Sequence, residues 1–242
     1  MKICVAQTRP AKGDIGSNID KHRKLINLAV SNGADIIVFP ELSLTGYEPA
    51  LAEALATTQD DRRFDGFQTI SDAGQTIIGV GVPTRTEAGI CISMVVFQPG
   101  QPRQTYSKKH LHADEEPFFV SGQNIATLKV GKTNIALAIC YELSIPEHPE
   151  NAFKNGAEVY IASVAKSAAG VERSFPILSG IAKQYSMTVL MSNCTGPCAD
   201  GESAGETAIW HTDGSLLSQL NGTDEGILMV DTETRELTAK TV

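Results

Sequence analysis

The chain has 242 residues, 42% of them hydrophobic and 20% charged, the composition of a globular enzyme with enough apolar material for one well-buried α/β domain. Its formal net charge is -8, from 20 Lys+Arg against 28 Asp+Glu, and no basic run exceeds two residues, so electrostatics disfavours a nucleic-acid or anionic-membrane partner. No apolar stretch approaches the roughly 18 residues that span a bilayer.

Met1–Gln7 reads as a strand, without the apolar core and cleavage site of an export signal. A loop with Gly13, Asp14 and Gly16 follows, then a helix predicted from Ile19 to about Val30 and closed by Gly33. Asp35–Phe39 is a continuous apolar strand stopped by Pro40. Residues 50–74 look helical and surface-lying. Thr76–Val82 and Ile90–Gln98 read as strands joined by a polar turn, Pro83–Gly89. Thr105–Leu111 is extended and runs into an acidic loop, Ala113–Pro117. Ala126–Val130 and Thr133–Cys140 look like a hairpin closed at Gly131-Lys132. A helix over Pro146–Asn155, a strand over Glu158–Val164, a helix over Val171–Ser186 and a strand over Thr188–Asn193 follow. The last part reads as a β-meander through Ile209–Trp210, Leu216–Leu220 and Ile227–Val230. Two halves of alternating strand and helix, with no linker or short repeat between them, predict a single domain over residues 1–242. The cysteines, Cys4, Cys91, Cys140, Cys194 and Cys198, are odd in number and include no C-x-x-C pair. They are expected to be reduced thiols of a cytoplasmic protein.

Three places interrupt this pattern with chemistry. Glu41 follows a buried strand directly, in Phe39-Pro40-Glu41; strand ends collect binding groups in layered α/β folds, and a partly desolvated carboxylate there can act as a base near neutrality. A loop-capping or ion-paired Glu is the plainer alternative. Cys140 closes the apolar run Ile135–Ile139 at a turn that exposes a nucleophile and aims backbone N–H groups at the same point. A buried packing thiol is its plainer alternative. In Tyr106-Ser107-Lys108-Lys109-His110-Leu111, an extended chain puts Tyr106, Lys108 and His110 on one face. Lys108 in a dry pocket could hold an oxyanion, while paired lysines also suit a solvated edge strand. Together the three places supply base, nucleophile and electrophile with no cofactor and no metal.

These segments resemble the nitrilase superfamily, the carbon–nitrogen hydrolases, in the family's order. Val38-Phe39-Pro40-Glu41-Leu42 with Leu44-Thr45-Gly46-Tyr47 resembles the segment of the catalytic Glu. Tyr106–Leu111 resembles the segment of the catalytic Lys and assigns it to Lys108. Asp114-Glu115, with Phe118-Phe119 and Gly122, is similar to the segment of a second Glu, and Ala138–Glu142 with Pro146-Glu147 to that of the nucleophile. The resemblance implies an α/β fold of four-layer α-β-β-α sandwich type, and a homodimer or higher homo-oligomer. Tyr141 after the cysteine resembles the amidase-like branches, where nitrile-hydrolysing members tend to carry Trp.

What the resemblance implies chemically is acyl transfer from a small-molecule amide, ω-amide or N-carbamoyl compound to Cys140. Glu41 would be the base, and Lys108 with the Tyr141 N–H would hold the oxyanion. Glu115 would orient Lys108 or position substrate. Tyr47 and Glu142 are candidate substrate contacts. Ser144 occupies the place where many members acting on acidic substrates carry Arg, and Lys166 is a candidate cation in its stead, against its alternative as a surface lysine. Two other function classes remain open at this point: a metal-dependent phosphodiesterase of a layered α/β fold, and a binding protein that keeps the fold without turnover.

Overall fold

A computed structural model describes residues 1–122, 127–199 and 201–242; Ala126, the expected start of a strand, lies outside them. The first half runs β1 (Lys2–Gln7), α1 (Ile15–Ser31), β2 (Ile36–Val38), α2 (Ala52–Leu55), α3 (Asp65–Gly74), β3 (Ile77–Thr86), β4 (Gly89–Phe97) and β5 (Gln104–Ser107). The second runs β6 (Leu128–Val130), β7 (Thr133–Ile139), α4 (Glu147–Lys154), β8 (Val159–Val164), α5 (Ala168–Tyr185) and β9 (Thr188–Asn193). A ribbon of β10 (Thr195–Cys198) and β11 (Gly201–Ala204) follows, then β12 (Ala208–Trp210), β13 (Leu216–Gln219), β14 (Gly226–Asp231) and β15 (Leu237–Thr241).

Strand alternation builds the layers. Ile3 and Val5 of β1 enter a core that also holds Leu137, Ile139 and Ile161, so it lies between two sheets. Cys4 and Ala6 point the other way, into a core with Leu25 and Ile26 of α1 and Phe67 of α3. The second sheet repeats this, with Ala136, Ala138 and Tyr160 turned towards Leu178 and Ile181 of α5. One sheet has seven strands in the order β15-β14-β1-β2-β3-β4-β5 and the other six, β13-β12-β9-β8-β7-β6. At their centres β1, β2 and β3 are parallel, as are β7, β8 and β9. The arrangement is the α-β-β-α sandwich expected from the sequence.

The differences have local causes. Helix α1 starts at Ile15 rather than Ile19 because the Asp14 carboxylate caps it, accepting from the Ser17 N–H at 3.0 Å. The expected helix over 50–74 is instead a series of short turns and α3, broken at Asp61, and the burial of Phe64 and Phe67 turns α3 onto the first sheet. The terminal meander is corrected too. Strand β14 leaves β12 and β13 and pairs antiparallel with β1 in the other sheet. Ile227 and Met229 face one core and Leu228 and Val230 the other, so β14 suits a position covered on both sides. Hydroxyls seam the two sheets at the carboxyl ends of the central strands: Ser192 Oγ donates to Ala6 O at 2.7 Å, and Ser163 Oγ to Phe39 O at 2.8 Å.

Candidate active site

Glu41 stands one turn beyond β2, on a loop pinned from both sides. The Leu44 N–H donates to Gly81 O at 2.9 Å. A side chain at Gly81 would meet Pro40 O at 2.3 Å and Leu42 N at 2.5 Å, so the loop can lie this close to β3 only over glycine. From α1, the fully buried His22 accepts or donates at Ser43 Oγ, 2.9 Å away, and stacks on Phe39 at 4.1 Å. Burial lowers the His22 pKa to about 3, so the ring is neutral.

Lys108 is carried just past β5, its N–H donating to Ile92 O at 2.8 Å. Its side chain is sealed from solvent between two carboxylates: Nζ is 2.8 Å from Glu41 Oε1 and 2.7 Å from Glu115 Oε1. Burial works against the ammonium, but the charges of Glu41 and then the Cys140 site and Glu115 outweigh it and raise the Lys108 pKa. Glu115 is itself held, its Oε2 accepting from the His112 N–H at 2.8 Å and its Oε1 from Tyr47 Oη at 3.0 Å. Tyr47 therefore reaches the same cluster from the Glu41 loop.

Cys140 follows β7 with φ of 44°, a left-handed conformation that a non-glycine residue adopts only under restraint, and it opens a short helical turn, Cys140–Ser144. Burial first, then the Glu41 carboxylate, push its thiol up to about 11, while Lys166 and Lys108 pull it down. The group rests as a thiol at neutral pH. Burial likewise raises the Glu41 pKa, against the pull of Lys108. Among the described residues, Glu41 Oε2 is buried without a hydrogen-bond partner, and the Cys140 thiol is near enough to act on that carboxylate. Beside the cluster opens a cavity of about 570 Å³ lined by Tyr47, Phe118, Ala165, Ser167 and Cys198 among others. Lys166 lies between two of those lining residues.

Two halves of one sandwich have thus brought a carboxylate, a cation and a thiol to the same strand ends, from residues 67 and 32 positions apart in the chain (108−41 and 140−108). The carbon–nitrogen hydrolase family model matches residues 2–239. The chain belongs to this family.

A 2-oxoglutaramate amidase of Bacillus subtilis is 28% identical over 211 residues, 85% of this chain and 81% of that one. A glutamine-dependent NAD(+) synthetase of Thermotoga maritima is 24% identical, with 98% of this chain spanning 42% of the synthetase. The amidase from Nesterenkonia sp. AN1, solved as a mutant with acrylamide added at its active-site cysteine, superposes with a TM-score of 0.87 over 97% of this chain and 94% of its own, at 21% identity. This carbon–nitrogen hydrolase therefore has the fold of the nitrilase-superfamily amidases and acts on C–N bonds other than peptide bonds.

Of the residues singled out in the sequence, Glu41, Lys108, Cys140, Glu115 and Tyr47 meet in one cluster. Glu142 does not join them as a substrate contact. It is fully buried, with Oε1 accepting from the Lys109 N–H at 2.8 Å and Oε2 from the Ile139 N–H at 2.9 Å and Tyr106 Oη at 2.7 Å. Its carboxylate is taken up in joining the Lys108 segment to β7, the strand that runs into Cys140. His22, Gly81 and Asn193 stand in no chemical motif of the sequence; His22 falls on the buried face of α1 with Ile19, Leu25, Ile26 and Ala29. The signal for Gly81 was present in Gly79-Val80-Gly81, two glycines inside an otherwise apolar strand. His110-x-His112 has the spacing of a metal pair, but among the described residues no cluster of three or more His, Cys, Asp or Glu could hold a metal ion. Lys108 Nζ also occupies the space between the two carboxylates where a metal cation would have to sit.

Proposed function

We propose that this enzyme hydrolyses a small linear amide, ω-amide or N-carbamoyl compound through a thioester on Cys140. Glu41 accepts the thiol proton as Sγ bonds to the carbonyl carbon. The Lys108 ammonium and the Tyr141 N–H hold the resulting oxyanion. Removing one such donor typically costs about 3–4 kcal/mol of transition-state stabilisation. The C–N bond then breaks, and the amine or ammonia leaves with the proton that Glu41 took up. Water gives a proton to Glu41 and its oxygen attacks the thioester. The C–S bond breaks, the acid departs, and the sulfur regains its proton. Glu115 acts through Lys108, fixing where the ammonium points.

The observation that carries this reading is the buried Glu41 Oε2, which among the described residues has only the approach of the Cys140 thiol, itself neutral at rest. Burial raises the Glu41 pKa against the pull of Lys108, the direction a general base needs. The scheme needs no cofactor, because base, nucleophile and cation are side chains of the chain itself. Two of the relatives carry names that refer to amides with a carboxylate at the other end, which favours an ω-amide. We also infer a homo-oligomer joined across α4 and α5, where Phe153 and Ile177 are 51% and 36% exposed. Light scattering that returns the mass of one chain at working concentration removes that part.

The test is ammonia release across a panel of amides, ω-amides and N-carbamoyl compounds, with Cys140→Ala alongside, and mass spectrometry of the acyl adduct. Release by the wild type alone with the adduct on Cys140 supports the scheme. An adduct on any other residue ends it.

A further inference from the structure

Lys166 is a lysine that the mechanism does not use and that, among the described residues, pairs with no carboxylate. Its backbone follows β8 and is clamped by a fully buried asparagine: the Lys166 N–H donates to Asn193 Oδ1 at 2.8 Å, and Asn193 Nδ2 donates to Lys166 O at 3.1 Å and to Gly205 O at 2.7 Å. Lys166 O also accepts from the Ala204 N–H at 2.9 Å. The residue is half-buried, its stem lies against Gly170, where an added Cβ would meet Lys166 Cβ at 3.2 Å, and its chain neighbours Ala165 and Ser167 line the cavity. A lysine facing bulk water needs no such clamp.

The charges around it are accounted for elsewhere. Lys108 takes both Glu41 and Glu115, and Lys12, at the cavity rim, pairs with Glu48 at 2.8 Å. Among the described residues, the Lys166 ammonium meets no carboxylate or hydrogen-bond acceptor. The Cys140 thiol, whose ionisation Lys166 does favour, carries no charge at rest and is no counter-ion. A half-buried cation without an anion is a cost that a ligand of opposite charge relieves. Because its backbone is already clamped, Lys166 loses less freedom on binding such a ligand than a lysine on an unanchored loop does.

We propose that Lys166 binds a carboxylate on the acyl part of the substrate, so that the enzyme selects amides whose acid product carries a second carboxylate. This rests on the thiol-amidase reading above and adds its substrate class. A single ammonium suits a monoanion; the acidic residues around the cavity mouth, Glu48, Asp114 and Glu202, disfavour a dianion such as a phosphate monoester.

The test compares succinamate with its uncharged isostere isocaproamide. Lys166→Met is expected to lower the ratio of kcat/KM for succinamate to that for isocaproamide by about tenfold or more, the worth of one charge-assisted contact, chiefly through KM. Lys166→Arg should restore most of the ratio. Any effect of Lys166 on the thiol itself cancels in this ratio, so a ratio that stays within twofold overturns the proposal. Alkylation of Cys140 gives a second readout that needs no turnover: the rate with iodoacetate relative to iodoacetamide should fall in Lys166→Met. If the wild type releases ammonia from other amides of the panel but from neither of these, the selection for a second carboxylate is overturned; if it releases none from any amide, the thiol-amidase reading fails, and the alkylation ratio decides whether Lys166 receives an anion, an unchanged ratio overturning that.

Discussion

Glu41 and Glu142 are 1% and 0% exposed, and they flank the same lysine-bearing segment, yet their surroundings differ. Both oxygens of Glu142 accept hydrogen bonds, and the chain continues from Tyr106 Oη to His148 Nε2 at 3.0 Å and from His148 Nδ1 to Tyr160 Oη at 2.9 Å. Glu41 has Lys108 on one oxygen and no hydrogen-bond partner on the other among the described residues. A satisfied buried carboxylate holds elements together; one left short of a donor is available to take a proton.

Isosteric amides separate the two. Glu41→Gln removes the base while leaving Lys108 its bond to Glu115, so kcat should fall by roughly a thousandfold while the urea midpoint moves little. Gly81→Ala should come next. Its methyl group meets backbone at 2.3 Å, which forces the Glu41 loop off β3, costs about 1–3 kcal/mol of stability and lowers kcat with it. Chemical unfolding and steady-state rates on the same preparation check both effects. Glu142→Gln puts an amide N–H₂ against the N–H and O–H donors that now converge there, and should cost about 1–3 kcal/mol in urea unfolding with a smaller fall in kcat than Glu41→Gln. The comparison breaks if Glu142→Gln matches Glu41→Gln in kcat without losing stability.

The smallest effect is a pH slope. The His22 pKa is about 3 when folded against 6.5 when free. As the pH falls below 6.5 the unfolded chain takes up a proton that the folded chain refuses until near pH 3, so stability drops over that window. At pH 5 the loss from this one group is about 2 kcal/mol. Urea midpoints at pH 7 and pH 5 should therefore differ less in His22→Gln than in the wild type; an equal difference would mean that His22 is not held neutral beneath the Glu41 loop.

Glu41, Lys108 and Cys140 are legible in the sequence for a shared reason. Each is a reactive group placed where an apolar run stops, and such places fall at strand ends. Glu115 is legible only through its resemblance, since Asp114-Glu115-Glu116 is otherwise a solvated acidic loop. Glu142 misleads. It lies two residues from Cys140, but donors that bind it come from Tyr106 and Lys109, more than thirty positions away. His22 carries the periodicity of a core residue, and that it braces the Glu41 loop depends on Ser43 and Phe39 in a different element.

The sequence by itself determined the alternation of strands and helices, the faces each one buries and the residue types available at the strand ends, because periodicity and turn chemistry act over a few neighbours. Only the tertiary structure decided that β14 crosses to pair with β1, which of Glu41 and Glu142 keeps an oxygen short of a hydrogen-bond donor among the described residues, and that Lys166 meets no carboxylate among them. Those outcomes depend on which distant donors, acceptors and charges meet after packing, and a buried group takes its role from such partners rather than from its place in the chain.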